Sequence, residues 1–228
     1  MNWPQAILFD LDGTLIDSAP DIASALNALL GELKLAEFPP EDVTEMIGGG
    51  MQLLIERALK ARGRPADKDR IAMLTARFVE IYTPRATDET RLYPGVRDVL
   101  ESYRNDGVAL GVCTNKPEGV TRVIIESLGV AHLFGAVIGG DTLRVKKPDP
   151  APLLAALESL ACDAQCALMV GDSVVDARAA RAAALPVLLV SYGYTRTPVR
   201  EMDTDGIVDS FAQLPEAVRG LSNILARL

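Results

Sequence analysis

The stretch Ala6-Ile7-Leu8-Phe9-Asp10-Leu11-Asp12-Gly13-Thr14-Leu15 decides the fold. Its first four residues form a continuous apolar run, the pattern of a strand buried on both faces. Two carboxylates follow at once, and their spacing points Asp10 and Asp12 to the same side. In an open parallel sheet, ligands bind beyond the carboxyl ends of the strands, so both are candidate site residues. Gly13 lets the chain turn sharply and brings backbone amides up to an anion. Taken alone, these residues also fit a capped turn after a strand.

Working outward, apolar runs of strand length recur at 108–113, 136–138, 167–170 and 186–190. Helical patterns separate them at 96–105, 118–128, 150–160 and 174–184, and an amphipathic segment closes the chain at 214–225. Alternating strands and helices predict an α/β fold, a Rossmann-like three-layer core built on a parallel sheet. The interval 18–93 breaks the alternation. Ile22, Leu26, Leu29, Leu30 and Leu33 share one helical face, Met51, Leu54, Ile55, Ala58 and Leu59 a second, and Ile71, Leu74, Phe78 and Ile81 a third. Ser18-Ala19-Pro20-Asp21 reads as a capping box opening the first helix. No strand is expected inside this interval. The predicted organisation is a core of 1–17 and 94–228 with an inserted all-helical cap at 18–93, the chain returning to the core at Pro94-Gly95.

The chain has 228 residues and a formal net charge of −8, which argues against a general nucleic-acid binder. Three Cys without paired spacing exclude a disulfide scaffold and a Cys zinc site, and a single His, His132, excludes a His-cluster metal centre. No apolar run reaches the ~18–20 residues of a membrane span. With no targeting segment read at the N-terminus, a cytoplasmic protein is expected, acting as a monomer or homodimer without nucleic-acid or membrane partners. Carboxylate-based phosphate and hard-metal chemistry stays open.

Three further segments fit that chemistry. Thr114 and Asn115 follow a predicted strand and precede a helix, where a hydroxyl and free amides make a phosphate cradle or, equally, an ordinary N-cap. Lys147, in Lys146-Lys147-Pro148, would neutralise a phosphate as a compact cation, or sit in a solvated basic loop. Gly171-Asp172-Ser173-Val174-Val175-Asp176 places Asp172 at a strand end and Asp176 one helical turn on, an oxygen set that suits Mg²⁺.

This order of motifs, Asp10–Leu15, Thr114-Asn115, Lys147-Pro148 and Gly171–Asp176, resembles the haloacid dehalogenase-like superfamily of phosphotransferases, over nearly the whole chain. Within it, Ile47-Gly48-Gly49-Gly50, Gly139-Gly140-Asp141 and Ser191-Tyr192-Gly193-Tyr194 are similar to phosphoglycolate phosphatases. One departure is Ala184 before Leu185-Pro186, where relatives often carry Gly for a left-handed helix end; Ala there would cost about 1 kcal/mol.

The resemblance implies a Mg²⁺-dependent phosphomonoester hydrolase acting on a small phosphorylated metabolite, foremost 2-phosphoglycolate, through an aspartyl-phosphate. Asp10 is then the nucleophile and Asp12 the general acid and base, also lending its backbone carbonyl to the metal. Thr114, Lys147 and the amides near Leu11, Gly13 and Asn115 hold the phosphoryl group. Asp10, Asp12 and Asp172 bind Mg²⁺, with Asp176 in direct contact or just behind. The Gly48–Gly50 loop would read the substrate's carboxylate, or be a plain inter-helix turn. Alternatives on the same scaffold are a phosphatase for a sugar phosphate, amino-sugar phosphate or pyrophosphate, a β-phosphoglucomutase-like mutase, and an inactive phosphate-binding module. Asp12 argues against halide displacement, which needs no leaving-group acid, and Lys34, Lys60 and Lys68 have polar-face positions unsuited to a Schiff base.

Overall fold

The first strand, β1 (Ala6–Phe9), is buried along its whole length. A strand can bury both faces only inside a layered sheet, and β1 has parallel neighbours on each side: Phe9 is in register with Val112 of β4 (Ala109–Cys113) and with Val170 of β6 (Ala167–Gly171). With β5 (Ala136–Ile138), β7 (Val187–Val190) and β8 (Gly206–Val208) the six-stranded parallel sheet has the order β5-β4-β1-β6-β7-β8. The order reverses on either side of β1, so Asp10 leaves the sheet at the switch point where α/β folds bind ligands. This computed structural model describes residues 3–195 and 197–225.

Side chains alternate between the two faces. Ile7, Phe9, Leu110, Val112, Leu168 and Val170 pack with α5 (Val96–Asn105), α6 (Glu118–Ser127) and α9 (Leu214–Leu225). Ala6, Leu8, Cys113, Met169 and Leu189 pack with α7 (Ala151–Ser159) and α8 (Val174–Ala182) on the other side. The three-layer expectation is met, and the short strand β8 adds an edge that the apolar-run reading did not include. It has three residues, two of them half-buried, so it carries little apolar signal.

Between β1 and α5 lie α1 (Ala19–Glu32), α2 (Pro40–Thr44), α3 (Met51–Ala61) and α4 (Lys68–Tyr82), with α4 packed on both α1 and α3. The interval is not wholly helical. Ile16–Asp17 (β2) pairs antiparallel with Arg91–Leu92 (β3), a two-residue ladder too short to leave a periodic signal. The two passages of chain between sheet and helices therefore run side by side, hydrogen-bonded to each other.

The capping box at Ser18 does not form either: Ser18 offers α1 no side-chain cap, because its hydroxyl donates to Asp12. Asp21 is buried and instead accepts from the amides of Glu89 and Thr90 and the hydroxyl of Thr90, which ties α1 to the returning strand. The left-handed helix end is present: Ala184 has φ +56°.

Candidate active site

Asp10, Asp172 and Asp176 converge at the carboxyl ends of β1 and β6, with one oxygen of each within 4.8 Å of the others. Among them lies the buried Lys147, whose Nζ is 3.0 Å from Asp10 Oδ1 and 2.6 Å from Asp176 Oδ1. Burial pushes the Asp10 carboxyl up to about 6, Lys147 opposing and Asp176 and Asp12 reinforcing. Asp172 is also raised, by burial and then by Asp176 and Asp10. For Lys147, burial would lower the ammonium, but Asp10 and Asp176 outweigh it and hold it above its ordinary value. Three carboxylates facing one cation are short of positive charge, and this oxygen-only set fits a hard divalent ion.

The donor atoms are not equivalent. Both oxygens of Asp176 have protein partners: Oδ2 accepts from the Ser173 amide and hydroxyl in a capping box at the start of α8, and Oδ1 accepts from Lys147. Asp172 Oδ2 accepts from the Tyr194 amide at 2.7 Å. No described residue donates to Asp172 Oδ1 or Asp10 Oδ2, so these oxygens remain for a ligand.

Gly13 does not work as expected. Its amide is already paired, donating to the Ile16 carbonyl at 2.9 Å. Its use lies in its missing side chain, since it sits at φ +82° and a Cβ would stand 2.5 Å from Asp172 Oδ2. The amides of Leu11 and Asn115, by contrast, have no hydrogen-bond acceptor among the described residues. Thr114 is buried and lines the cavity, its Oγ1 accepting from the Lys116 amide. Asn115 donates from Nδ2 to the Lys147 carbonyl at 2.9 Å, which fixes the lysine's loop.

Sequence reasoning missed Lys116. It is buried, its Nζ donates to Asp12 Oδ1 at 2.5 Å, and it lies 4.9 Å from the centre of the Tyr82 ring. The Ser18 hydroxyl donates to the same Asp12 oxygen. Both bonds fall on Oδ1, so Asp12 is oriented with Oδ2 unengaged. Asp12 thus has its own cation and stands outside the cluster of three carboxylates.

A cavity of about 280 Å³ opens above these groups. Its floor is Asp10, Asp12, Thr114, Lys147 and Asp172, and its far wall includes Gly48, Gly49, Gly50, Met51 and Arg57. Arg57 Nη1 donates to the carbonyls of Met46 and Gly48 and so shapes the glycine turn. The three glycines all have positive φ, and Gly50 begins α3 without a side-chain cap. His132 is exposed and does not line the cavity, and Cys113 is a buried strand residue whose thiol is pushed up to about 12 by burial.

Residues 7–190 match the haloacid dehalogenase-like hydrolase family. The chain belongs to that family. Among curated proteins it is 46% identical over 215 residues to a phosphoglycolate phosphatase of Rhodospirillum rubrum, covering 92% of this chain and 89% of the relative. Among solved structures, a predicted phosphoglycolate phosphatase from Haemophilus somnus superimposes with a TM-score of 0.86 at 32% identity, covering 95% of this chain and 98% of the other. CbbY from Rhodobacter sphaeroides, solved in complex with phosphate, has a TM-score of 0.81 at 26% identity over 94% of this chain and 99% of its own. The family inferred from the motifs and the parallel-sheet core inferred from the alternating runs are thus confirmed. Among the described residues, no helix is long and apolar enough to cross a membrane.

Proposed function

We propose that this hydrolase is a phosphoglycolate phosphatase, cleaving 2-phosphoglycolate to glycolate and phosphate through an aspartyl-phosphate on Asp10. The observation that carries the reading is the joining, in one small cavity, of a carboxylate-lysine cluster at Asp10 with a separately held Asp12. The relatives carrying that name over most of the chain support the substrate.

In the first step an oxygen of Asp10 bonds to phosphorus as the ester bond to the leaving oxygen breaks. Asp12 gives that oxygen its proton, and glycolate departs. A water then attacks phosphorus, Asp12 takes up its proton, and the bond to Asp10 breaks to release phosphate. Lys147, Thr114 and the Leu11 and Asn115 amides hold the phosphoryl oxygens throughout. Asp10, Asp172 and the Asp12 carbonyl would hold Mg²⁺, and Asp176 orients Lys147 and Ser173 behind them. When bound, Mg²⁺ offsets the repulsion between the Asp10 carboxylate and the phosphate.

Residues 18–93 act as a cap over this site. The bare start of α3 at Gly48–Gly50 offers backbone amides and a helix N-terminus to the substrate's carboxylate. A cavity of about 280 Å³ has room for a small ester. The protein needs no membrane or nucleic-acid partner, and acts in the cytoplasm as a monomer or homodimer.

Phosphate release should be measured with Mg²⁺ over 2-phosphoglycolate, hexose phosphates, an amino-sugar phosphate and pyrophosphate, with Asp10→Asn as the blank. The proposal expects a preference for 2-phosphoglycolate of about a hundredfold in kcat/KM, equal to about 2.7 kcal/mol. A comparable preference for another ester would refute the substrate and keep the chemistry. Hexose 1-phosphate converted to 6-phosphate would indicate a mutase.

A further inference from the structure

The chemistry leaves Tyr194 unexplained, although its side chain lines the cavity and makes three hydrogen bonds. Its phenol oxygen accepts from the amides of Ser18 at 2.7 Å and Ala19 at 3.1 Å, and donates to Asp17 Oδ1 at 2.6 Å. The Ala19 amide also reaches Asp17 Oδ1, at 3.2 Å. A helix start has unpaired amides that a side-chain oxygen normally caps from the preceding residue. Here Ser18 has turned to Asp12, and a tyrosine 176 residues further along the chain supplies the cap. The backbone amide of the same tyrosine holds Asp172 Oδ2. Gly193, just before it, permits that grip: a Cβ there would lie 2.3 Å from both Asp172 Cβ and Oδ2. Tyr192 secures the loop from the other side, donating to the Thr14 carbonyl at 2.9 Å with its ring 4.5 Å from that of Tyr93.

We propose that Tyr194 is a positioning residue that couples the Asp172 carboxylate to the start of α1, and through α1 to the helices covering the cavity. The residue grips a site carboxylate with its main chain and the root of the cap with its side chain. Settling Asp172 on a ligand therefore settles the Tyr194 amide, and with it the oxygen that caps α1. Burial, Tyr93 and the bond to Asp17 push the hydroxyl far above its ordinary range, so it remains protonated. This inference rests on the reading of Asp10 and Asp172 as the Mg²⁺-phosphoryl site, but not on the identity of the ester.

The test is hydrogen exchange at the Ser18 and Ala19 amides, with and without Mg²⁺, in the wild type and Tyr194→Phe, alongside calorimetric Mg²⁺ titration. In the wild type, Mg²⁺ should slow exchange at these two amides severalfold. In Tyr194→Phe their exchange should be about tenfold faster and indifferent to Mg²⁺, while the Mg²⁺ Kd stays within about threefold because the main-chain amide is intact. KM for 2-phosphoglycolate should rise at least about fivefold, with kcat/KM for p-nitrophenyl phosphate within about twofold. A structural role alone would not remove the response to Mg²⁺. If Tyr194→Phe does not fold, Asp17→Asn should keep the Mg²⁺ response and Asp17→Ala should lose it. The proposal is overturned if Mg²⁺ leaves Ser18 and Ala19 unchanged in the wild type, or slows them equally in Tyr194→Phe. Mg²⁺ binding and the exchange response without hydrolysis of 2-phosphoglycolate would refute the substrate alone.

Discussion

Replacing Asp10 with Asn should abolish turnover and, in metal-free protein, raise stability. Asp10, Asp172 and Asp176 crowd within 4.8 Å around the single ammonium of Lys147. Burial and the neighbouring anions hold Asp10 at about 6 instead of 3.8. At about 1.36 kcal/mol per pH unit, keeping that carboxyl ionised costs about 3 kcal/mol. The amide removes the charge but also weakens the bond from Lys147, so the expected gain is about 1–3 kcal/mol. At about 2–4 °C per kcal/mol for a chain of this size, Tm should rise by about 2–12 °C.

The sign follows from proton binding. Between the ordinary carboxyl value and the raised one, the folded protein holds a proton that the unfolded chain has released. Wild-type stability from this group therefore falls as pH rises from 3.8 to about 6, and the cost is complete above that. The gap between variant and wild type should be large at pH 7.5 and smaller at pH 5. The assay is thermal unfolding of both proteins in EDTA at the two pH values, repeated with Mg²⁺, which should stabilise the wild type more than the variant. A metal-free Asp10→Asn protein no more stable than wild type at pH 7.5 would refute the electrostatic reasoning.

Other outcomes follow from single contacts. Lys116→Met frees Asp12 Oδ1 from its cation and should lower kcat for alkyl phosphates by about 10–100-fold, within the range of acid–base contributions. The loss should be within about threefold for p-nitrophenyl phosphate, whose leaving group needs no proton; equal losses would deny the link to Asp12. Gly193→Ala would drive a Cβ into Asp172 and should weaken Mg²⁺ binding more than tenfold by calorimetry. Ala184→Gly relieves φ +56° at the end of α8 and should raise stability to denaturant by about 0.5–1 kcal/mol. Asp21→Ala strands the Glu89 and Thr90 donors and should destabilise by about 2–4 kcal/mol, seen as a lower urea midpoint.

The core was legible because its main strands are bare apolar runs, and the three central ones end at or next to a polar residue with chemical use. Asp10, Thr114 and Asp172 all announce themselves in that way, and the structure brings them to one sheet edge. What sequence could not show was contact between distant residues. Lys116 stood in the quoted Thr-Asn-Lys segment, yet nothing local indicates that its ammonium is buried against Asp12, 104 residues away. Ser18 carried a local signal for a helix cap, and a nearby carboxylate outcompeted the helix for its hydroxyl. Gly13 was read for its amide, whereas its lack of a Cβ beside Asp172 matters. Two-residue strands such as Arg91–Leu92 are set by the pairing partner and not by periodicity. The left-handed Ala184, in contrast, was anticipated through the family resemblance, since relatives often carry Gly before Leu185-Pro186.

The central claim is a covalent phosphoryl group on Asp10. Enzyme with Mg²⁺ should be mixed with 2-phosphoglycolate, quenched in acid within milliseconds, reduced with borohydride and mapped by mass spectrometry. The account predicts homoserine at position 10, absent without substrate and absent in Asp10→Asn. Steady turnover with residue 10 unmodified, or reduction at any other carboxylate, would contradict it.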